Sequence, residues 1–515
     1  MNELSTTNDW PLIRFIAPAY PEVNIFSNSR ITPLGLVNVA TSASKVWGFR
    51  VEIIDENNYC GPRDEQGLPD HERLQAEDPA AAVGFYCGLT STMDRVFELS
   101  RFYHEQGAFN IGGGWHAHFC AQEVLGKGFD VVVRGEGENV IRDLLRALKH
   151  KNGLAKIQGI SYLDNGVLKS NLPSRLELLN LSDLPYPDFG LIRYARKIRT
   201  YPIGRVRGCR MNCEFCSVKG KPRWAGPEYV FNSVKWLYDT RGAKHFFMVD
   251  DRLEENREGL LAFFKLINEQ YGNRLGFTVQ IRLETAKDTE LLEAMSRAGV
   301  RVVCVGYESP MAEDLKTMRK GLSPQRMVEW TLALRRRFLV HGMFIFGYPT
   351  LEPSALPVAE TVKRYKAFIR QAKITSIQVL HPVPLVGTGL RARLEKDGRV
   401  FPLDLVPWRM YDGSYACFWP NNMTLEELQN TPIQLMGWFY SWWNFWKVIY
   451  RTLIFPIHYL IAGWRDWHDS WLRDTIRYGG HRLVRQWQKK QNSARFMARL
   501  KSYAINNDAL ARPKT

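Results

Sequence analysis

Between residues 201 and 390 the chain alternates short apolar runs with longer stretches of helical periodicity. The runs are "YPIGRVR", "KHFFMVDD", "GFTVQIR", "VRVVCVGYES", "HGMFIFGYP" and "ITSIQVLHP". Stretches such as "PEYVFNSVKWLYDTRG", "GLLAFFKLINEQYG" and "AETVKRYKAFIRQA" separate them. Short bounded apolar runs read as strands, and the periodic stretches read as helices. Six such repeats predict parallel strands with crossover helices, a partial (β/α)6 barrel that falls short of the eightfold one.

The first 171 residues carry the same α/β alternation in a different arrangement. "LIRFIAP", "FRVEIID", "AAAVGFY", "FNIGGG" and "FDVVVRG" predict strands, with "PLGLVNVATSASKVWG" as a helix between the first two. This predicts a doubly wound, Rossmann-like α/β domain whose ligand lies at the strand carboxyl ends. Gly112, Gly113 and Gly114 let the backbone approach a ligand closely. Thr90, Ser91 and Thr92 follow the third strand as hydroxyl donors or a helix cap. "SYLDNGVLKS" predicts a hairpin with an Asn-Gly turn. The proline-rich stretch that follows predicts a linker over residues 172–200, before the barrel at 201–390.

Residues 391–515 predict a mainly helical extension. Trp464, Trp467 and Trp471 fall at i, i+3 and i+7, with Leu460 one turn earlier and Arg465, Asp469 and Arg473 on other faces. That spacing predicts one amphipathic helix docked on the barrel by its aromatic stripe. The alternative is contact with a membrane surface, because Trp beside Lys and Arg suits a lipid interface.

Charge sharpens the question of partners. The net charge is +16, and residues 431–515 carry 14 Lys and Arg against 4 Asp, a surplus of +10. A basic tail attracts an anionic substrate, a membrane surface or RNA. No small RNA-binding barrel is evident there, so nucleic acid is not the expected partner. The N-terminus lacks a basic segment followed by an apolar core, so no signal peptide is predicted. The longest charge-free run near the C-terminus, "TLIFPIHYLIAGW", is too short to span a bilayer. The expected location is the cytoplasm, with the inner membrane face as the site of any peripheral contact.

Three of the eight cysteines, Cys209, Cys213 and Cys216, lie within "RVRGCRMNCEFCSV" at CxxxCxxC spacing. In a reducing compartment such a group reads as a metal or redox site. A structural zinc site wants four protein ligands, and no fourth Cys or His is near. Three thiolates fit an iron–sulfur cubane with one iron left open. A zinc loop or chance clustering is the bland alternative.

CxxxCxxC with Phe215 before the last Cys resembles the signature of the radical S-adenosylmethionine (radical SAM) enzymes. The resemblance implies a [4Fe–4S] cluster whose open iron holds SAM and cleaves it to a 5′-deoxyadenosyl radical. It also implies SAM contacts at the strand carboxyl ends. Asp250 ends "FFMVDD", Gln280 and Arg282 lie two apart on "TVQIR", and Glu308 follows "VCVGY". The usual Gly-Gly-Glu on the second strand is replaced by "VDD". For any of these residues, strand-end capping or a loop salt bridge is the ordinary reading.

"PLGL", the Thr/Ser loop, "IGGGWHA" and "VVVRGEGE", in this order ahead of the Cys motif, resemble the cobalamin-binding domain of cobalamin-dependent radical SAM enzymes. The resemblance covers residues 10 to 390. It implies a cobalamin lined by Thr90, Ser91, Gly112, Gly113, Gly114, Gly135 and Glu136. Glu136 and Glu138 also suit a helix N-terminus for electrostatic reasons. The DxHxxG motif is absent, and His116 and His118 do not fit its spacing, so no protein imidazole is expected on cobalt.

The expected activity is methyl transfer from SAM through cobalamin to an unactivated carbon of a metabolite or lipid. An external donor such as flavodoxin or ferredoxin would supply the electrons. One alternative is radical cyclisation or rearrangement with the same cofactors. Another is a methylthiotransferase-like enzyme acting on RNA or protein, with a second cluster on Cys60, Cys87 and Cys120.

Overall fold

The structure is a computed structural model and describes residues 10–21, 30–150, 153–171, 179–196, 198–352, 356–490 and 493–506. Residues 1–9, at which no signal peptide is expected, and 172–178 and 197 of the expected linker lie outside the described residues. The chain divides into two compact units: Met1–Gly208 with Gly220–Asp251 and Glu258–Leu266, and Cys209–Lys219 with Arg252–Arg257 and Ile267–Thr515.

The first unit is built on a seven-stranded sheet. Its strands are β1 (Leu12–Ala17), β2 (Arg50–Asp55), β3 (Ala80–Tyr86), β4 (Phe109–Gly113), β5 (Val131–Val133), β6 (Ile160–Asp164) and β7 (Val167–Asn171), in the order β2-β1-β3-β4-β5-β6-β7. β1 to β5 pair in parallel, and β6 and β7 add antiparallel. Parallel strands are covered on both faces, which is why β1 is buried at every position and reads as a mainly apolar run. Arg14 interrupts that run and is fully buried, but Glu52, Gln75, Tyr103 and two backbone carbonyls accept from its guanidinium. The hairpin β6–β7 turns through Asn165 and Gly166, both at positive φ, as a two-residue Asn-Gly loop requires. Chain order reverses between β1 and β3, so the β1 and β3 carboxyl ends flank the crevice expected for a ligand.

After the undescribed stretch, residues 179–196 form two short 3-10 turns and bridge back, Ile192 to Ile53 of β2 and Ala195 to Tyr59. Then come β8 (Tyr201–Ile203), β9 (Val206–Arg207), β10 (Arg223–Trp224) and β11 (His245–Met248); β8 and β11 pair in parallel, β9 and β10 antiparallel.

The second unit holds β12 (Gly276–Ile281), β13 (Val300–Glu308), β14 (Leu339–Ile345) and β15 (Ser376–Leu380), paired in parallel in chain order. With β8 and β11, the six strands expected from the alternating pattern are present, separated by helices such as Pro324–Arg335 and Val358–Gln371. A core of Met318, Tyr348, Leu390, Leu394, Ala416, Phe418 and Leu428 joins strand ends to the first elements of the C-terminal extension. That extension is helical: Leu425–Phe439, Asn444–Leu453, Phe455–Lys490 and Ser493–Asn506. The first starts with a capping box, Thr424 and Glu427 satisfying each other's backbone N–H groups.

The tryptophan stripe needs correction. The helix Phe455–Lys490 is broken at Gly463, which takes φ +79°. Leu460 is therefore not on the same face as the tryptophans. Trp467 is 9% exposed, donates its indole N–H to the Arg451 carbonyl at 2.7 Å and packs against Phe455 and Trp471. Trp464 is exposed. Trp467 is thus buried, but against the neighbouring tail helix rather than the barrel, and Leu460 and Trp464 are exposed; the side chains of Arg465 and Asp469 lie outside the described ones.

Candidate active site

In the second unit the cluster loop carries Cys209, Cys213 and Cys216 as free thiols. Burial raises the Cys216 pKa, and the neighbouring Cys213 and Cys209 sulfurs raise it further, so the three sulfurs sense one another. Three sulfur donors within one short loop, with no disulfide among them, suit a metal cluster, and the donor set fits iron–sulfur ligation. Lys219 donates to the Cys213 carbonyl at 2.8 Å and closes the loop.

The loop is also latched from outside. Glu214, between two of the cysteines, accepts from Arg393 Nε at 2.8 Å and Nη2 at 2.9 Å and from the Tyr348 hydroxyl at 2.7 Å. Its backbone N–H donates to Met318 O, and its carbonyl accepts from Leu390 N. Burial opposes the carboxylate charge, but Arg393 and Tyr348 outweigh it and lower the Glu214 pKa. Phe215 meets the Tyr348 ring edge-on and packs on the apolar core. The Cys-motif aromatic is thus a packing anchor of the loop.

Beside Cys213 lies a half-buried ionic group. Arg282, just past the end of β12, donates to Glu284 and to the Lys320 carbonyl. Lys320 Nζ donates to Glu308 Oε1 at 2.7 Å. Burial disfavours both cations. For Lys320 the Glu308 carboxylate and for Arg282 the Glu284 carboxylate reverse that, each helped by Cys213, and both pKa values are raised. Two carboxylate oxygens in the group, Glu254 Oε2 and Glu284 Oε2, are buried without a hydrogen-bond partner. Burial raises the Glu254 pKa. A site with two cations and two orphaned carboxylate oxygens fits a zwitterionic amino-acid group, which needs both.

Glu308 reaches this group through an unusual backbone. It takes φ +61°, rare for a residue with a side chain, beside a register shift in the β13–β14 ladder. A Cβ on Gly306 would lie 2.4 Å from Glu308 Oε1 and 3.1 Å from Lys320 Nζ. Gly306 is therefore required for the carboxylate to fold back over the strand. Gln280 is on β12 and exposed, and it makes no part of the ionic group.

In the first unit, Asp250 Oδ1 accepts from the backbone N–H groups of Arg205 and Val206, and Asp251 Oδ2 accepts from Gly208 N at 2.6 Å. The "VDD" pair thus shapes the chain entering the cluster loop. Desolvation pushes the Asp250 pKa up to about 6, against the lowering effect of the backbone donors, and its Oδ2 is buried without a partner.

At the carboxyl ends of β3, β4 and β5, Thr90, Ser91 and Thr92 form a buried 3-10 turn. Thr90 Oγ1 is 3.3 Å from Nδ1 of the buried His116, whose Nε2 lies 3.7 Å from Glu123. The glycine run has a reason other than the one sequence suggested. Gly114 is at φ +124°, and a Cβ there would sit 2.6 Å from Gly88 N, so the β3 and β4 loops touch backbone to backbone. Gly112 packs beneath Phe129, while a Cβ on Gly135 would enter open space. Gly135, just past the end of β5, thus leaves room for a ligand at the strand ends. Glu136 is already committed: it accepts from Arg207 at 2.9 Å and Arg223 at 2.6 Å, and these outweigh desolvation to lower its pKa.

Sequence reasoning missed Lys320, Glu254, Glu284, Glu214 and Arg393. Glu284 had a signal, two residues beyond a strand-end Arg; the loop residue Lys320 had none.

Comparison with known proteins agrees with this geometry. Residues 24–145 match the B12 binding domain family, and residues 203–359 match the Radical SAM superfamily. The chain is 30% identical over 373 residues to the uncharacterized methyltransferase PH0819 of Pyrococcus horikoshii, covering 70% of this chain and 77% of that one. It is 25% identical over 327 residues to the anaerobic magnesium-protoporphyrin IX monomethyl ester cyclase of Synechocystis sp., covering 60% and 63%. With the hopanoid C-2 methylase of Rhodopseudomonas palustris it shares 25% identity over 386 residues, covering 72% and 65%. The chain thus spans less than two thirds of the last two. Among solved structures, the radical SAM methyltransferase TsrM from Kitasatospora setae superposes with TM-score 0.61 at 19% identity, covering 76% of this chain and 77% of that one. The cobalamin-dependent radical enzyme OxsB superposes with TM-score 0.63 at 15% identity, covering 93% and 72%. These two likenesses speak for the fold.

The protein is therefore a radical SAM enzyme. Within that superfamily it belongs to the members that carry a B12-binding domain ahead of the radical SAM domain, and its cofactors are a [4Fe–4S] cluster, SAM and cobalamin. This displaces the second-cluster alternative. Of its three cysteines, Cys60 donates to the Tyr194 carbonyl and Cys87 is fully buried, its thiol pushed up to about 12 by desolvation. No helix among the described residues is long and apolar enough to cross a membrane.

Proposed function

We propose that the enzyme transfers a methyl group to an unactivated carbon of a small molecule or lipid, with electrons from a flavodoxin or ferredoxin. The observation that carries the reading is the ionic group beside Cys213. When bound, the cofactors supply a 5′-deoxyadenosyl radical for hydrogen abstraction and a methyl group for delivery. Cys209, Cys213 and Cys216 hold the cluster, and Glu214 and Arg393 fix their loop. Arg282 and Lys320 bind the SAM carboxylate, Glu254 and Glu284 its ammonium, and Glu308 orients Lys320. Asp250 and Phe215 hold the loop and its entry rather than SAM itself, and Gln280 serves another part of the ligand. Thr90, Ser91 and the open space at Gly135 receive the corrinoid, with Gly112, Gly113 and Gly114 shaping the floor. Glu136 braces that wall through its arginines. The C-terminal region faces a membrane surface.

The name of the cyclase relative keeps radical cyclisation as a second outcome of the same site. Anaerobic reconstitution with SAM, cobalamin and a reductant tests the reading: 5′-deoxyadenosine should form. It should vanish when Cys209, Cys213 and Cys216 are all replaced by Ala. In Lys320→Met the KM for SAM should rise while cluster absorbance stays. A triple-Ala variant that still cleaved SAM would overturn the assignment.

A further inference from the structure

The Asn444–Leu453 helix has two apolar faces where a docked helix needs one. Its inner face is used: Phe445 packs on Tyr478 at 5.3 Å, Thr452 accepts from the Trp471 indole at 3.1 Å, and Arg451 pairs with Asp474. Its outer face presents Trp443, Trp446, Tyr450 and Leu453, spaced three and four residues apart and all exposed. The chain then runs through Ile457, Leu460 and Ile461 before Gly463 turns it back towards the buried Trp467. Exposure peaks at this tip: Leu453 74%, Leu460 82% and Ile461 81%. A contiguous apolar surface of this kind is an interaction site.

Its composition selects the occupant. Exposed aromatic side chains, Trp443, Trp446, Tyr450 and Tyr459, whose amphipathic rings suit polar headgroups, alternate with the more exposed aliphatic Leu453, Leu460 and Ile461. Residues 428–465 contain no Asp or Glu, while Lys447 is exposed beside Trp443 and Trp446. The surrounding residues 431–515 add the surplus of +10. Two copies meeting here would bring like charges together, whereas an anionic bilayer offers the complementary charge and an apolar layer.

We propose that residues 442–464 dock the enzyme on an anionic lipid bilayer. The Leu and Ile side chains enter the acyl boundary, and the Trp and Tyr side chains lie at headgroup level. The segment lies on the membrane and does not span it, which agrees with the absence of a long apolar helix among the described residues. This sharpens the membrane-facing role given above to the C-terminal region. It is independent of methyl transfer: a chain that bound vesicles without moving a methyl would leave it standing.

The test is co-sedimentation of the full-length protein with vesicles of phosphatidylcholine alone or with phosphatidylglycerol, alongside sedimentation velocity without lipid. The protein should be a monomer without lipid, bind the mixed vesicles, and bind them less at high salt. The double variant Leu460→Ser, Ile461→Ser should bind at least about tenfold more weakly, since each withdrawn aliphatic side chain is worth about tenfold. Its melting temperature and its cleavage of SAM should be unchanged. Failure of the parent to sediment would overturn the proposal, as would a variant that bound as tightly. A lipid-free dimer dissociated by the same double variant would assign the surface to a second copy instead.

Discussion

Removing Arg393 probes how the cluster loop is held. In Arg393→Ala, Glu214 keeps the Tyr348 hydroxyl but loses both guanidinium bonds, and Pro349 O loses its donor. The Glu214 and Arg393 side chains are only 11% and 18% exposed. Breaking one side of a fully buried pair costs about 3–5 kcal/mol; allowing for this partial exposure gives roughly 2–3 kcal/mol. For a unit of this size that is a drop in melting temperature of roughly 5–10 °C. The sign of the pH dependence follows from the lowered Glu214 pKa. A depressed carboxylate contributes stability above its ordinary value of 4.5, and the contribution is lost only as pH falls through the native value below that. The gap between parent and variant should therefore be flat from about pH 6 to 8. The assay is iron content and cluster absorbance after anaerobic reconstitution, paired with thermal melting. The variant should retain less iron, and Arg393→Lys should recover part of it, because a point charge replaces one arm of the fork. Full iron content and an unchanged melting temperature in Arg393→Ala would refute the latch.

Three further outcomes follow from named contacts. Gly306→Ala places a methyl against Glu308 and Lys320, so the KM for SAM should rise while iron content holds; unchanged kinetics would show that Glu308 does not position Lys320. Trp467→Ala removes a buried indole and its hydrogen bond and should cost on the order of 3–5 kcal/mol in thermal unfolding, and an unchanged melting curve would contradict the burial of that residue. Protein loaded with cobalamin should show a base-off spectrum, since the DxHxxG histidine is absent from the sequence; a nitrogen-ligated cobalt signal traceable to a protein imidazole would contradict it.

The strands were legible because both faces of a parallel sheet are buried, which writes short, mainly apolar runs such as that of β1 into the sequence. The cluster cysteines were legible because their spacing is local. Lys320 and Arg393 were not: Lys320 reaches Glu308 through a loop that folds back on the strand end, and Arg393 reaches Glu214 from a helix far along the chain. The glycines of "IGGGW" signalled close approach, but what approaches Gly114 is a neighbouring backbone; Gly306, which carried no expectation, meets a carboxylate. The tail misled because helical periodicity was carried across Gly463, where the chain turns. Asp250 at a strand end looked like a ligand contact, yet one of its oxygens is spent on backbone N–H groups, a use that sequence does not display.

The most direct test of the central claim is a tracer experiment. The reconstituted enzyme is incubated with SAM carrying a trideuterated methyl group, reductant, cobalamin and a lipid and metabolite extract, and the products are read by mass spectrometry. The account predicts 5′-deoxyadenosine together with a product in which a CD3 group replaces one hydrogen, the labelled product lost without cobalamin and both lost in the triple-cysteine variant. A product that formed without cobalamin, or that carried no label from the SAM methyl, would contradict it.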